Sequence, residues 1–424
     1  MDKPLYDAYV SILKEELVPA MGCTEPIALA YAAALARKTL GALPEVVDVR
    51  ASANIIKNVK SVVVPHTGGL RGIAAAVAAG IAAGDAERKL EVLSGVSGAQ
   101  IAGIKAYLEG TPVAVAPSES GYIFDIQITA RAGDHTAFVQ IAGGHTNVVQ
   151  IERDGTVLLH RDYSEDGRVE GTGRGLLTVE RIVDFADHVK MEDIQDVLDR
   201  QIRLNTAIAE EGLRGGWGAD VGKVLLGAYG DSVHNRAKAT AAAGSDARMS
   251  GCELPVVINS GSGNQGMTAS LPVIVYAEEM GADREALYRA LVVSNLVTIH
   301  LKTGIGRLSA YCGATSAGCG AGAGIAYLHG GKTYEVAHTI VNAVAINSGM
   351  ICDGAKASCA AKIASAVEAG LLGWQMQEQG TQFYGGDGIV TKGVENTIRN
   401  VGRLARKGMA QTDREIISIM VEGG

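Results

Sequence analysis

Residues 351–362 read ICDGAKASCAAK. Cys352 and Cys359 stand with six residues between them, around an Asp, a Gly and a Lys. Inside one regular helix the two would share a face about 10.5 Å apart along the axis. Gly354 instead places Cys352 in a turn and Cys359 in the first turns of the following alanine-rich helix. That shortens the gap enough for one metal centre to join them. The spacing matches neither the compact ferredoxin runs nor the paired CxxC of a zinc ribbon. Two buried inert cysteines explain it as well.

Working outward, Cys312 opens CGATSAGCGAGAGIAYLHGG, and the helical run TYEVAHTIVNAVAIN separates it from Cys352. A helical hairpin brings the two together. Upstream, VERIVDFADHV, EDIQDVLDRQIRLNTAIAEEGL and GADVGKVLLGAYG carry apolar positions at helical spacing between glycine breaks. SGSGNQGMTASLPVIVYAEEM, from Ser260, reads as a donor-rich loop feeding a helix, a seat for a small anionic ligand. It lacks the Lys and Ser/Thr of a P-loop, and there is no dinucleotide fingerprint.

The N-terminal part differs. Residues 5–18 have helical spacing, and a second helix runs from near Thr24 to a glycine stop at Gly41. Between them lies MGCTEP, with Thr24 as the expected N-cap and Pro26 in the first turn. Cys23 thus sits before a helix N-terminus, which favours a thiolate; a small buried residue is the alternative. VVDVRASANIIKNVKSVVVP reads as one or two strands, and PHTGGLRGIAAAVAAGIAAG as a glycine turn opening a helix. His66 and Thr67 in that turn make a carboxylate seat, or simply a turn containing a histidine. LEVLSGVSGAQIAGIKAYLEG is helical. TPVAVAP, YIFDIQITARAG, DHTAFVQIAG, HTNVVQIERDG and TVLLHRDY then suggest an antiparallel meander. SEDGRVEGTGRG reads as a linker. His135, His145 and His160 lack metal-ligand spacing and read as ordinary histidines.

The expected fold is α+β: a largely helical cluster-binding domain with an inserted α+β domain containing an antiparallel sheet. The parts are 1–42, N-terminal helices packing on the C-terminal domain; 43–164, a substrate-facing α+β domain; and 165–424, the mainly helical domain. Small residues are abundant while Phe and Trp number four and two, which suits close helix contacts. The longest uncharged stretch, Leu308–Gly331, has only Leu308, Ile325 and Leu328 as large aliphatics, so no bilayer span is expected. MDKPLYDAYVSILKEEL carries acids inside its apolar region, so no secretory signal is expected and the location is cytoplasmic. With 38 basic and 46 acidic side chains, net −8, no nucleic-acid partner is expected. The expected partner is a small anionic molecule, with a homodimer left open. In a reducing compartment the six cysteines (23, 252, 312, 319, 352, 359) read as thiolate ligands or nucleophiles rather than disulfides.

MGCTEPIALA, VPHTGG, INSGSGNQG, YCGATSAGCGAGAG and MICDGAKASCAAK occur in that order over nearly the whole chain. Together they resemble the L-cysteine desulfidase family. The C-terminal half is also similar to the alpha portion of the iron–sulfur L-serine dehydratases, and the HTGG turn resembles a His-Thr-x-Gly substrate-binding turn of their beta portion. The resemblance implies a [4Fe–4S] cluster on Cys312, Cys352 and Cys359, with one iron left open, and Cys23 as the base. Cys319 is the other candidate for third ligand; Cys312 is preferred because it occupies the dehydratase-like position ahead of the small-residue helix. Cys252 matches no role.

The implied activity is β-elimination of L-cysteine to pyruvate, ammonia and sulfide, without pyridoxal phosphate, for which no obvious lysine motif is seen. Ser260, Asn264, Gln265, Asp353 and Lys356 join His66 and Thr67 as expected substrate contacts, or else serve as turn and cap residues. The alternatives are an iron–sulfur L-serine dehydratase and, from a different class, a non-catalytic zinc-binding or redox-sensing thiolate protein.

Overall fold

The carboxylate of Asp2 accepts from the Leu5 amide (3.0 Å) and Pro4 fills the first turn, which together open α1 (Lys3–Glu16). The structure is a computed structural model that describes residues 1–164, 173–306 and 308–422. Of the linker expected over 164–175, residues 165–172 lie outside the described residues.

After α1 come β1 (Pro19–Met21) and α2 (Thr24–Leu40), which Gly41 ends at φ +80. The next elements are β2 (Val46–Ala51), α3 (Ala53–Val59), α4 (Gly72–Ala83) and α5 (Gly98–Gly110). They are followed by β3 (Val113–Pro117), β4 (Asp125–Ala132), β5 (His135–Ala142), β6 (Val148–Arg153) and β7 (Thr156–His160). The six strands form one sheet in the order β3-β2-β4-β5-β6-β7.

From β4 to β7 the sheet is the expected antiparallel meander. β3 departs from it by pairing parallel to β2, because α3 to α5 form the long crossover a parallel pair requires. The β-branched stretch after β2 is likewise not a second strand. Ile55 and Val59, four apart and both buried, follow a helical period in α3. Val47, Val49, Ile126, Ile128, Val139 and Ile141 alternate inward, and α2 packs on β4 and β5. α2 and α4 touch backbone to backbone: a Cβ on Gly80 would lie 2.1 Å from the Ala30 carbonyl oxygen.

The remainder is helical: α6 (Val179–His188), α7 (Met191–Arg214), α8 (Val221–Tyr229) and α9 (Val233–Met249), then the short β8 (Pro255–Val257). α10 (Gly263–Met280), α11 (Arg284–Ile305), α12 (Gly313–Leu328) and α13 (Thr333–Ile346) follow. The last are α14 (Cys359–Glu378), α15 (Val394–Arg403) and α16 (Ala410–Glu422).

α12 packs against α10, α11, α13 and α14. Its glycines make that crowding feasible, since a Cβ on Gly318 would lie 2.1 Å from the Ala366 carbonyl oxygen and one on Gly322 2.4 Å from that of Gly370. Small residues at these contacts bury backbone against backbone, as the composition predicts. β1 pairs antiparallel with β8, and α1 packs on α7, so the N-terminus is anchored beside the helices. Among the described residues no helix is long and apolar enough to cross a membrane.

Candidate active site

Two chain segments 40 residues apart are joined by a short antiparallel ribbon. The Cys312 amide donates to the Met350 carbonyl (3.0 Å), the Cys352 amide to the Ala310 carbonyl (2.6 Å), and Tyr311 bridges Ile351. Cys312 is the N-cap of α12 and Cys359 the first residue of α14. The turn between Cys352 and Cys359 needs Gly354: its φ is +95, and a Cβ there would lie 2.7 Å from the Lys57 carbonyl oxygen.

Cys23 arrives from the other end of the chain. It is the N-cap of α2, 2% exposed, and its Sγ lies 3.9 Å from Met249 Sδ in a small cluster that includes Cys359. The cap is therefore Cys23 rather than Thr24, whose hydroxyl instead donates to the Gly261 carbonyl (2.9 Å) and ties this turn to the Ser260 loop.

Cys23, Cys312, Cys352 and Cys359 line one cavity with Ser260, Asn264 and Gln265. The cavity measures about 110 Å³, on the scale where one water takes on the order of 10–15 Å³, so it suits a small molecule.

Charged walls complete it. Arg248, 4% exposed, donates through Nε to the Gly22 carbonyl (3.0 Å) and through a terminal nitrogen to Asn264 Oδ1 (3.1 Å). Glu25 accepts from Asn58 (3.2 Å), and His145 Nε2 stands 3.9 Å from it. Lys57, Lys302 and Lys362 also line the cavity.

Not every expected residue is there. His66 faces Glu253 (3.4 Å), and the Thr67 hydroxyl donates to the Val64 carbonyl (2.7 Å) within its own turn; neither lines the cavity. Asp353 and Lys356 pair with each other outside its lining, and Asp353 also holds Lys362 (2.5 Å), so they brace the loop that carries Cys352 and Cys359. Cys319 is buried inside α12 with its Sγ 3.7 Å from the Ile340 carbonyl, facing α13. Cys252 is buried after α9, away from the cavity lining.

Conversely, Glu25, His145, Arg248, Lys57, Asn54 and Asn58 line the cavity without having been expected to. Glu25 lies inside the quoted MGCTEP motif, which was a usable signal. The asparagines were hidden by reading α3 as a strand, and His145 by its lack of spacing partners.

Electrostatics separate the thiols. Burial pushes the Cys23 thiol up to about 12, against the pull of Arg248, so burial outweighs the helix N-terminus that was expected to favour a thiolate. Cys352 is drawn down, chiefly by its partner thiol Cys312, then by the Gly354 amide and by Lys57 and Lys302, while Cys312 is raised. Burial raises Glu25, but His145 and then Arg248 outweigh it and hold the carboxyl at about 2.

Cys312, Cys352 and Cys359 line the cavity together with Lys57, Lys302 and Lys362, and thiolates are the ligand type that would hold an iron–sulfur cluster. Among the described residues no group of three or more His, Cys, Asp or Glu side chains is already drawn together around a single metal ion.

The family model described as serine dehydratase alpha chain matches residues 87–418. Cys312, Cys352 and Cys359 fall inside that span; Cys23 and Glu25 precede it. A UPF0597 protein of Desulfitobacterium hafniense (strain Y51) is 60% identical over 416 residues, covering 98% of this chain and 97% of its own length. UPF0597 proteins of Lachnoclostridium phytofermentans and Finegoldia magna are 48% and 47% identical, each covering 98% of this chain and 100% and 99% of their own lengths. With its cysteine-bearing helices inside the matched span, the chain belongs to the serine dehydratase alpha chain family.

Proposed function

We propose that this chain is an iron–sulfur-dependent L-cysteine desulfidase that converts L-cysteine and water to pyruvate, ammonia and hydrogen sulfide without pyridoxal phosphate. The observation that carries the reading is the meeting of Cys23, from the N-terminal end, with Cys312, Cys352 and Cys359 in one small cavity. The last three would hold a [4Fe–4S] cluster. When bound, a cluster with an open iron supplies a Lewis acid that favours departure of the β-substituent.

The chain's own residues do the rest. Cys23 is the base for the α-proton. Burial keeps Cys23 a thiol at rest, so it acts as base only after losing its proton, a step that the Arg248 charge eases. Loss of the α-proton and of sulfide leaves aminoacrylate, which tautomerises to the imine and is hydrolysed to pyruvate and ammonia. Ser260, Asn264 and Gln265, which line the same cavity, orient the substrate. Positioning of this kind contributes more than the base alone, whose share is typically about 10² to 10⁴ in rate.

A second reading, L-serine dehydratase, is favoured by the family model itself. The same base and cavity serve a hydroxyl leaving group. The protein is read as cytoplasmic, acting on a small amino acid, with a homodimer as its proposed assembly.

The deciding experiment compares pyruvate and sulfide release from L-cysteine with pyruvate release from L-serine, anaerobically, beside iron and acid-labile sulfide content. Zinc or no metal, with no pyruvate from either substrate, sinks the reading in favour of a non-catalytic thiolate protein.

A further inference from the structure

Four buried polar atoms on the cavity residues have no hydrogen-bond partner among the described residues: Asn54 Oδ1, Asn58 Oδ1, Gln265 Oε1 and His145 Nε2. Asn54 and Asn58 are four residues apart on α3 and so present one face. Three of the four atoms are amide oxygens, which only accept. Beside them stands Glu25, whose side chain is 13% exposed and whose carboxylate accepts from Asn58 (3.2 Å).

Buried acceptors left empty beside a buried carboxylate are costly unless a ligand satisfies them. The ligand group that does so donates several hydrogen bonds and carries positive charge. A primary ammonium has three such donors.

The opposite pole is Arg248. It holds the carbonyl of Gly22, the residue before Cys23, while Glu25 lies two residues after Cys23. Two of its donors are engaged by Gly22 and Asn264, and a guanidinium has five, so donors remain for a carboxylate. Arg248 and Glu25 thus both lie close enough to Cys23 to act on its thiol, and both line the same cavity.

We propose that Glu25, with the amide oxygens of Asn54 and Asn58, seats the α-ammonium of the substrate, that Arg248 takes its α-carboxylate, and that the cavity thereby selects α-amino acids over α-hydroxy acids. The proposal rests on the reading above that the cavity holds a small amino acid. It adds the residues that recognise the amino group and the class of competitor they reject. Two substituents of Cα are then fixed at the two poles, which leaves the α-hydrogen and the side chain for the walls made by Cys23 and the other three cysteines.

The test is binding rather than turnover, by calorimetry on anaerobically prepared full-length protein with L-alanine, L-lactate and propionate. L-Alanine has no leaving group, so nothing is consumed. Wild type is expected to bind L-alanine on the order of tenfold or more tighter than L-lactate, because the two differ only in the group facing a buried carboxylate. In Glu25→Gln that preference collapses while L-lactate and propionate bind as in wild type.

Equal binding of L-alanine and L-lactate by wild type overturns the proposal, as does undetectable L-alanine binding or an unchanged preference in Glu25→Gln. The wild-type comparison stands even if the variant does not fold. Selective L-alanine binding without elimination from either L-cysteine or L-serine supports this subsite while sinking the elimination reading, so the two fail separately.

Discussion

Lys57 Nζ lies 2.5 Å from Asp413 Oδ1, an ion pair that ties the cavity wall in α3 to the C-terminal helix α16. The Lys57 side chain is 2% exposed and that of Asp413 16%. Removing one partner of such a pair strands a buried charge, which costs about 3–5 kcal/mol. Asp413→Ala should therefore lower the denaturation midpoint by a corresponding amount, and deletion of α16 should do the same. A midpoint equal to wild type would show that Lys57 finds another partner.

The cysteines should divide cleanly in an iron and acid-labile sulfide assay of anaerobic protein. Cys312→Ser, Cys352→Ser and Cys359→Ser are expected to lose the cluster. Cys23→Ala is expected to keep it and lose elimination. Cys319→Ala should keep both, because that thiol faces the Ile340 carbonyl rather than the cavity. Loss of iron in Cys319→Ala with retention in Cys312→Ser would reverse the assignment of the third ligand.

Helices α12 and α14 carry Cys312 and Cys359 at their N-termini, and their backbones touch at Gly318 and Gly370. A Cβ on Gly370 would lie 2.1 Å from the Gly318 carbonyl oxygen, too close for either helix to stay in place. Gly370→Ala is expected to destabilise by about 1–3 kcal/mol, the usual range for overpacking, and to lower iron content by moving the two cysteines apart. Thermal melts alongside iron analysis check both parts; a normal melting temperature rules the contact unimportant.

Two buried acids set opposite slopes of stability with pH. Burial raises Asp246 to about 6 from 3.8, so its folded form holds the proton more tightly than the unfolded chain does. Stability attributable to it rises as pH falls from about 6 to 3.8, and the penalty is fully present above that window. The shift corresponds to about 3 kcal/mol, an upper figure. Asp246→Asn should thus be more stable than wild type at pH 8, with the difference fading below pH 4 in urea titrations.

Glu25 behaves oppositely. Its folded carboxyl is held at about 2 against 4.5, so the stability it contributes is present above pH 4.5 and is lost as pH falls toward 2. Glu25→Gln should flatten that acid limb of the wild-type curve. An acid limb identical to wild type would show that another carboxylate is responsible.

Local periodicity made much of the fold legible. The meander from β4 to β7 and the glycine-broken helices after Leu176 follow from alternation and 3.6-residue spacing, which are short-range properties. β3 was misplaced because a parallel partner lies far away in sequence, and α3 because its β-branched residues masked a helical period. The motifs likewise carried the family, since several short segments agreeing in order need no knowledge of their packing.

By itself, then, the sequence determined the α+β class, the cysteines available for chemistry and the dehydratase-like relationship. Only the tertiary structure decided which side chains face one another. It brought Cys23 to Cys359, turned Cys319 toward α13, closed the Thr67 hydroxyl on its own turn, and delivered His145 and α3 to the cavity. The reason is physical. Residue type and spacing specify chemistry and local shape, whereas membership of a cavity depends on the facing of helices and loops whose contacts span hundreds of residues, here governed by glycine-sized approaches between α12 and α14 and by the buried anchors of Arg248 and Lys57.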